Sequence, residues 1–132
     1  MTTLVTQIPP ASSELAEAHF AQEFTFETDC WDVKASLDEG ADFVLIDVRS
    51  PAMCREGHVP GAINLLHGKM IGSKMAAWPG ETLFVTYCAG PHCNGAARGA
   101  LRLAKLGRPV KIMAGGVTGW LDEGFTLVKG DE

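Results

Sequence analysis

Two apolar segments restrict the fold of this chain more than any other feature. Residues 42–48 and residues 82–87 are almost unbroken apolar stretches, and the second runs directly into Cys88. Such stretches are typical of strands buried on both faces of a parallel sheet, because half-exposed strands alternate apolar and polar residues. Residues 62–65 and 109–113 are two further strand candidates. Helical patterns separate these strands, so the sequence predicts an α/β fold with parallel neighbours.

Capping residues give the helix positions. The sequence predicts helices that begin at Ser12 or Ser13, at Thr28 or Asp29, at about Ala96 and shortly before Trp120. The first is expected to run to about Phe24, and Gly40 and Gly107 are expected to end the second and third. Residues 1–10 read as an unstructured lead. Trp120 is expected in the core.

Composition indicates a globular protein of one domain. The chain has 132 residues, of which 46% are hydrophobic and 20% are charged. Its longest strongly apolar run, residues 43–46, is far shorter than the ~20 residues that span a bilayer. The first residues lack the basic-then-apolar pattern of a secretory signal. We therefore expect a cytoplasmic protein without membrane contact, whose four cysteines are thiols rather than a disulfide framework.

The distribution of charge bears on partners. A net charge of −5 argues against nucleic-acid binding, which usually requires a basic face. Basic residues cluster after Cys88, at Arg98, Arg102, Lys105, Arg108 and Lys111. We interpret them as a solvated helix face; the alternative is that they attract anionic substrates.

Cys88 has the sequence context of a nucleophile. It ends a strand and opens a short loop that leads into a helix. Backbone N–H groups of such a loop, with the positive end of the helix dipole behind them, can hold an anion. A helix N-terminus can lower a cysteine pKa from ~8.5 to ~7.5 or below. Cys30 and Cys54, by contrast, read as small buried hydrophobic residues.

Several segments in a fixed order give the chain a wider resemblance. They are Leu45–Arg49, Glu56–Asn64, Val85–Cys88, the alanine-rich helix and Met113–Trp120. Together they resemble the rhodanese homology domain, from about Thr28 to Phe125. The resemblance implies a rhodanese-like α/β fold with a mostly parallel central sheet of four to five strands and helices on both faces. It divides the chain into an N-terminal, partly helical extension (1–27), the domain (28–126) and a tail (127–132).

The resemblance also implies an activity. Cys88 would accept a sulfane sulfur from a small anionic thiosulfonate or persulfide donor and pass it to a thiol or cyanide. Neither a metal nor an organic cofactor is needed. A protein sulfur acceptor or a second copy of the chain are further candidate partners. The donor would be bound by the loop, namely Ala89, Gly90, Pro91, His92, Cys93 and Asn94.

Five other residues match the family's pattern around this loop. We interpret Asp47 and Arg49 as an ion pair or loop hydrogen bonds at the carboxyl-end rim of the sheet. His58 is expected to fix a loop through a hydrogen bond. Gly115 and Gly116 are expected to let the backbone pass close to the Cys88 loop.

The loop departs from the family's common pattern at two positions. Ala89 stands where a basic residue is frequent, so the loop has no cation for doubly charged thiosulfate. Cys93 stands where arginine or another polar residue is frequent. It could resolve a Cys88 persulfide into a disulfide or merely fill space; we favour filling, because a tight loop is expected to hold the two sulfurs apart. His92 could supply a proton to the substrate or simply face solvent.

Three other functions are alternatives to sulfur transfer. Phosphate hydrolysis needs a wider loop and an arginine clamp, but Asn94 follows the five residues after Cys88. A zinc site fails because Cys88, His92 and Cys93 lack a fourth ligand. The remaining alternative is a rhodanese-like binding or redox-sensing module without turnover.

Overall fold

The computed structural model describes residues 2–130. Its helices are α1 (Ser13–Phe26), α2 (Cys30–Glu39), α3 (Pro51–Glu56), α4 (Gly72–Met75), α5 (Gly95–Lys105) and α6 (Gly116–Asp122). Its strands are β1 (Glu27–Asp29), β2 (Val44–Asp47), β3 (Ile63–Asn64), β4 (Phe84–Tyr87) and β5 (Val110–Ala114). A 3-10 turn spans His67–Lys69. Residues 2–10 contain neither helix nor strand, and no helix within residues 2–130 has the length and apolar character to cross a membrane.

The five strands form one parallel sheet in the order β1-β5-β4-β2-β3. The predicted fold class is therefore confirmed, and so are all four predicted strands. The fifth, β1, was not predicted, because it is three residues long and lies between two helices. It pairs with β5, with Glu27 opposite Ile112.

Adjacent residues of each central strand belong to different cores, because side chains alternate across a sheet. In β2, Ile46 packs with the core covered by α4 and α5, whereas Leu45 packs with the core covered by α2 and α6. In β4, Phe84 and Val85 divide in the same way. The helices therefore cover both faces, and Trp120 is fully buried as predicted.

The caps follow the predicted chemistry. Ser12 accepts a hydrogen bond from the Leu15 N–H (3.3 Å) and begins α1. Asp29 accepts one from the Asp32 N–H (2.8 Å) and begins α2, which Gly40 ends. Two short helices, α3 and α4, were not predicted. For α3 the signals were present, since Ser50 caps it and Pro51 occupies its first position.

Both ends of the predicted domain are tied to the sheet or its loops. β1 crosses the predicted boundary between residues 27 and 28. In the tail, Val128 pairs with His58 in antiparallel fashion, and the Gly130 N–H donates to the Arg55 carbonyl (2.9 Å). The boundaries remain predictions, but residues 128 and 130 hydrogen-bond to the body of the fold.

Candidate functional site

Cys88 follows β4 directly, at the carboxyl end of the sheet. Its side chain is 6% exposed and packs in the core beneath α5. Its sulfur lies against the first residue of α5, because a Cβ added at Gly95 would be 3.0 Å from Cys88 Sγ. The same Cβ would be 3.2 Å from Val48 and 3.5 Å from Cys93 Sγ. A side chain at this helix position would therefore crowd Cys88 Sγ and Val48, whereas its contact with Cys93 Sγ would be an ordinary one.

Cys88 and Cys93 are joined by a disulfide, with their sulfurs 2.10 Å apart and their Cα atoms 6.2 Å apart. The expectation that the loop holds the two sulfurs apart is therefore wrong, as is the expectation of four free thiols. A sequence separation of five is enough for the disulfide to form, because the loop folds back on itself: the Cys93 N–H donates to the Gly90 carbonyl (3.2 Å). The resulting Cα separation lies inside the range that a disulfide spans.

The backbone of the Cys88 loop (residues 88–94) leaves several N–H groups available. Within the described chain, no acceptor takes a hydrogen bond from the N–H groups of Ala89, Gly90, His92 or Asn94. The first three N–H groups of α5, in residues 95–97, likewise have no acceptor there, as helix geometry dictates. These donors, together with the dipole of an 11-residue helix, favour an anion at the Cys88 loop.

Helix α6 fixes the opposite side of the loop. The Val117 N–H donates to the Cys88 carbonyl and the Thr118 N–H to the Ala89 carbonyl, both at 3.0 Å. Because C=O and N–H point to opposite sides of a trans peptide, the N–H groups of Ala89 and Gly90 point away from α6.

Gly115 and Gly116 make this approach possible. Both have positive φ, +94° and +59°, which L-residues other than glycine rarely adopt. A Cβ at Gly116 would also overlap the Cys88 carbonyl oxygen and lie 2.9 Å from the Gly90 nitrogen. The structure thus brings Gly116 into contact with the Cys88 loop.

Two cavities share the lining residues Gly90, Pro91 and Cys93. The inner cavity, of about 230 Å³, is lined by Cys88, Cys93 and Glu27, together with α5 and β5 residues. The outer cavity, of about 500 Å³, is lined by residues 89–93 and Thr118. His92 is exposed there, which matches the solvent-facing alternative. Sequence reasoning missed Glu27, because nothing in the sequence marked β1 as a strand beside the loop.

Asp47 and Arg49 form an ion pair, with Arg49 Nη2 2.7 Å from Asp47 Oδ2. The pair is buried rather than exposed on the rim: Asp47 is 0% and Arg49 9% exposed. The Tyr87 hydroxyl also donates to Asp47 Oδ2 (2.8 Å). Burial alone would lower the pKa of Arg49, but the hydrogen bonds and charge of Asp47 outweigh it and raise that pKa. Burial, followed by the Asp47 charge, raises the pKa of Tyr87.

This network lies on the sheet face opposite the Cys88 side chain. Tyr87 packs in the α2–α6 core, whereas Cys88 packs in the α4–α5 core. His58 donates from Nδ1 to the Cys54 carbonyl (2.9 Å). His58 and Cys54 line a separate cavity near α3. The structure therefore does not bring Asp47, Arg49 or His58 to the Cys88 loop, and a supporting role for them stays a prediction.

The other two cysteines are buried free thiols, as expected. Cys30 is 4% and Cys54 6% exposed. Burial, assisted by nearby acids, raises the pKa of each to about 11. Both are therefore protonated near neutral pH and are poor nucleophiles.

The basic residues after Cys88 serve the fold more than the loop. Arg102 Nε donates to the Met70 carbonyl (3.2 Å), and Arg108 donates to the Met75 and Trp78 carbonyls, both at 2.8 Å. Arg98 donates to the Asn94 side chain (3.2 Å) on the exposed face of α5. Residues 2–130 contain no group of three or more His, Cys, Asp or Glu side chains arranged for a metal ion.

Comparison with known proteins gives relatives of several kinds. The chain is 34% identical over 100 residues to an HTH-type transcriptional regulator of Mycobacterium tuberculosis, a match that covers 70% of this chain and 43% of the regulator. The chain thus spans less than half of that relative's length.

Solved structures extend the comparison. The BH2092 protein of Bacillus halodurans superposes with a TM-score of 0.84 at 31% identity, over 88% of this chain and 85% of that one. A thiosulfate sulfurtransferase of Pseudomonas aeruginosa superposes with a TM-score of 0.68 at 24% identity, over 84% of this chain and 21% of that one. At this lower identity the likeness shows the fold alone. The rhodanese-like domain matches residues 31–123; with the parallel sheet, the Cys88 loop and these neighbours, this match shows that the chain belongs to the rhodanese-like family.

Proposed function

We propose that this protein is a sulfurtransferase that carries sulfane sulfur as a persulfide on Cys88. The sulfur comes from a small thiosulfonate or persulfide donor and passes to a thiol or cyanide. The observation that carries the proposal is the position of Cys88 Sγ, which lies against the first residue of α5 in a loop where several backbone N–H groups have no acceptor among the described residues.

The chemistry follows from that position. The Cys88 thiolate attacks the outer sulfur of the donor, whose remainder leaves; with thiosulfate the leaving group is sulfite. The persulfide is itself anionic, so the N–H groups of the Cys88 loop stabilise it without a lysine or arginine. An acceptor thiolate or cyanide then removes the outer sulfur and restores the Cys88 thiolate. No metal or organic cofactor enters these steps.

Replacement of the nucleophile tests the proposal. Reduced Cys88→Ser protein is expected to lose thiocyanate formation from thiosulfate and cyanide by at least about 1,000-fold, because the covalent intermediate can no longer form. Cys93→Ala protein, which keeps Cys88 but lacks the neighbouring thiol, should gain about 32 Da on Cys88 after the donor alone, as persulfidation requires. Cys54→Ala, which removes a buried thiol, is the matched control and should retain turnover. Turnover near the wild-type rate in Cys88→Ser would contradict the assignment.

The second candidate is a redox-sensing module without turnover. The disulfide between Cys88 and Cys93 favours it, and one relative is a transcriptional regulator. Under this alternative, the reduced wild type forms the disulfide with an oxidant, but no donor adds sulfur to wild type or to Cys93→Ala protein, and no sulfide is released. We favour turnover and a cytoplasmic location, where cellular thiols would keep Cys88 reduced.

A further inference from the structure

We propose that Cys93 is a second reacting residue, which resolves the Cys88 persulfide and releases its sulfur as hydrosulfide. The inference rests on the proposed function, because it needs a persulfide on Cys88. It extends that function by assigning the product and the class of acceptor, a dithiol reductant that restores the two thiols.

The geometry allows attack on the inner sulfur of the persulfide. Cys93 Sγ is bonded to Cys88 Sγ in the structure, with 6.2 Å between the Cα atoms. The loop conformation that leaves several backbone N–H groups without acceptors among the described residues therefore also brings the two sulfurs together. Gly95 contributes to this arrangement, because a Cβ there would lie 3.0 Å from Cys88 Sγ and crowd it.

The step balances as an internal thiol–disulfide exchange. Cys93 Sγ attacks Cys88 Sγ and forms the disulfide bond, while the bond between Cys88 Sγ and the sulfane sulfur breaks. The sulfane sulfur takes the bonding electron pair and the Cys93 proton and leaves as hydrosulfide. It is thus reduced by two electrons, which the two cysteine sulfurs supply.

The exposure of the two cysteines indicates which sulfur of the Cys88–Cys93 disulfide a reductant attacks first. Cys93 is exposed and lines both the inner and the outer cavity. Cys88 is 6% exposed and lines the inner cavity but not the outer one. A thiolate that arrives through the outer cavity therefore meets Cys93 Sγ. Cys88 is then the leaving thiolate, which the N–H groups of the loop stabilise. The second thiol of the reductant attacks its own sulfur in the mixed disulfide, frees Cys93 and closes the reductant's disulfide.

A single-turnover experiment without cyanide or thiol tests the proposal. Reduced protein is mixed anaerobically with excess thiosulfate, and the sulfide released into this mixture is measured. The protein is then desalted, and its intact mass is measured. Wild-type protein is expected to release about one equivalent of sulfide and to carry a Cys88–Cys93 disulfide in peptide maps. Cys93→Ser is expected to release no sulfide and to keep about 32 Da on Cys88. Cys93→Ala should repeat the Cys93→Ser result, and Cys54→Ala should behave as wild type.

The outcomes separate this inference from the proposed function. If wild-type protein keeps the added sulfur, releases no sulfide and still forms thiocyanate with cyanide, Cys93 does not resolve the persulfide, while the sulfurtransferase proposal stands. If wild type releases no sulfide and neither wild type nor Cys93→Ser gains sulfur, the sulfurtransferase proposal fails first. With a dithiol as acceptor, resolution by Cys93 requires that Cys93→Ser slow sulfide release by at least about tenfold although its Cys88 still gains about 32 Da from thiosulfate.

Discussion

Glu27 places a negative charge in the wall of the inner cavity of the candidate site. Among the described residues that line the inner cavity it is the only charged one, and it shares that cavity with Cys88 and Cys93. Its position opposite Ile112 in the sheet puts its side chain on the α5 face. A carboxylate there repels doubly charged thiosulfate more than a singly charged persulfide. We therefore expect Glu27 to bias the donor preference toward lower charge.

Substitution of Glu27 by glutamine removes the charge with little change in shape. Glu27→Gln is expected to raise kcat/KM for thiosulfate by about three- to tenfold, with a smaller gain for a singly charged persulfide donor. Steady-state kinetics at low and high ionic strength measure the effect, which should shrink as salt screens it. Glu81→Gln removes an equal charge beyond the amino end of β4 and is the control. Equal gains in both variants would mean that overall charge, rather than Glu27, sets the preference.

At the scale of elements, the junction of β4, the loop and α5 positions the sulfur. Strand β4 is fully buried and fixes where Cys88 starts, while α5 fixes where the loop must end. Helix α6 closes the third side through the Cys88 and Ala89 carbonyls. The site therefore depends on small residues at each contact, namely Gly95 and Gly116.

Gly95 offers the sharper test of this junction, because it lacks a positive φ and alanine fits its backbone. Gly95→Ala is expected to leave the fold intact but to slow persulfide formation by about 10- to 100-fold, since the Cβ displaces Cys88 Sγ. Stopped-flow or quenched single turnovers measure the rate, and circular dichroism checks the helix content. Gly72→Ala alters the equivalent first position of α4, where a Cβ meets nothing within 4 Å. Unchanged rates in Gly95→Ala would show that the loop tolerates a displaced sulfur.

At the scale of the whole molecule, a buried polar network links the two central strands. Asp47, at the end of β2, accepts hydrogen bonds from Arg49 and from the Tyr87 hydroxyl at the end of β4. Asn64 Nδ2 donates to the Asp47 and Arg49 carbonyls (3.0 and 2.8 Å), which ties in β3. The carboxyl end of the sheet is therefore held by polar contacts on one face and by the Cys88 loop on the other.

Loss of the Asp47 charge tests the stabilising role of this network. Asp47→Asn is expected to lower the free energy of unfolding by about 3 kcal/mol, because it leaves the buried Arg49 guanidinium without its counterion. Urea unfolding followed by tryptophan fluorescence measures the loss. Asp38→Asn is the control: it breaks the solvent-exposed pair with Lys34 and should cost less than about 1 kcal/mol. Folded Asp47→Asn protein should keep its sulfur-transfer rate within about twofold; a large loss of rate without a loss of stability would instead place Asp47 in the reaction.

The sequence by itself determined the parallel α/β fold, most strands and caps, and Cys88 as the candidate nucleophile. These features depend on local patterns: apolar runs, capping side chains such as Ser12 and Asp29, and a cysteine between strand and helix. It also separated Cys88 from the buried thiols Cys30 and Cys54.

Only the tertiary structure decided which residues come into contact, both within the Cys88 loop and between segments that are distant in the sequence. The pairing of Cys88 with Cys93 depends on a loop that turns back on itself, which side-chain spacing alone does not reveal. The position of Glu27 beside the loop depends on β1, a three-residue strand that forms by pairing with β5 and has no strand pattern of its own in the sequence. Asp47 and Arg49 follow the same strand-end pattern as Cys88, but the alternation of side chains across the sheet puts them on the other face. Local patterns identify the chemical groups, whereas the register and face of each strand decide which of them share a site.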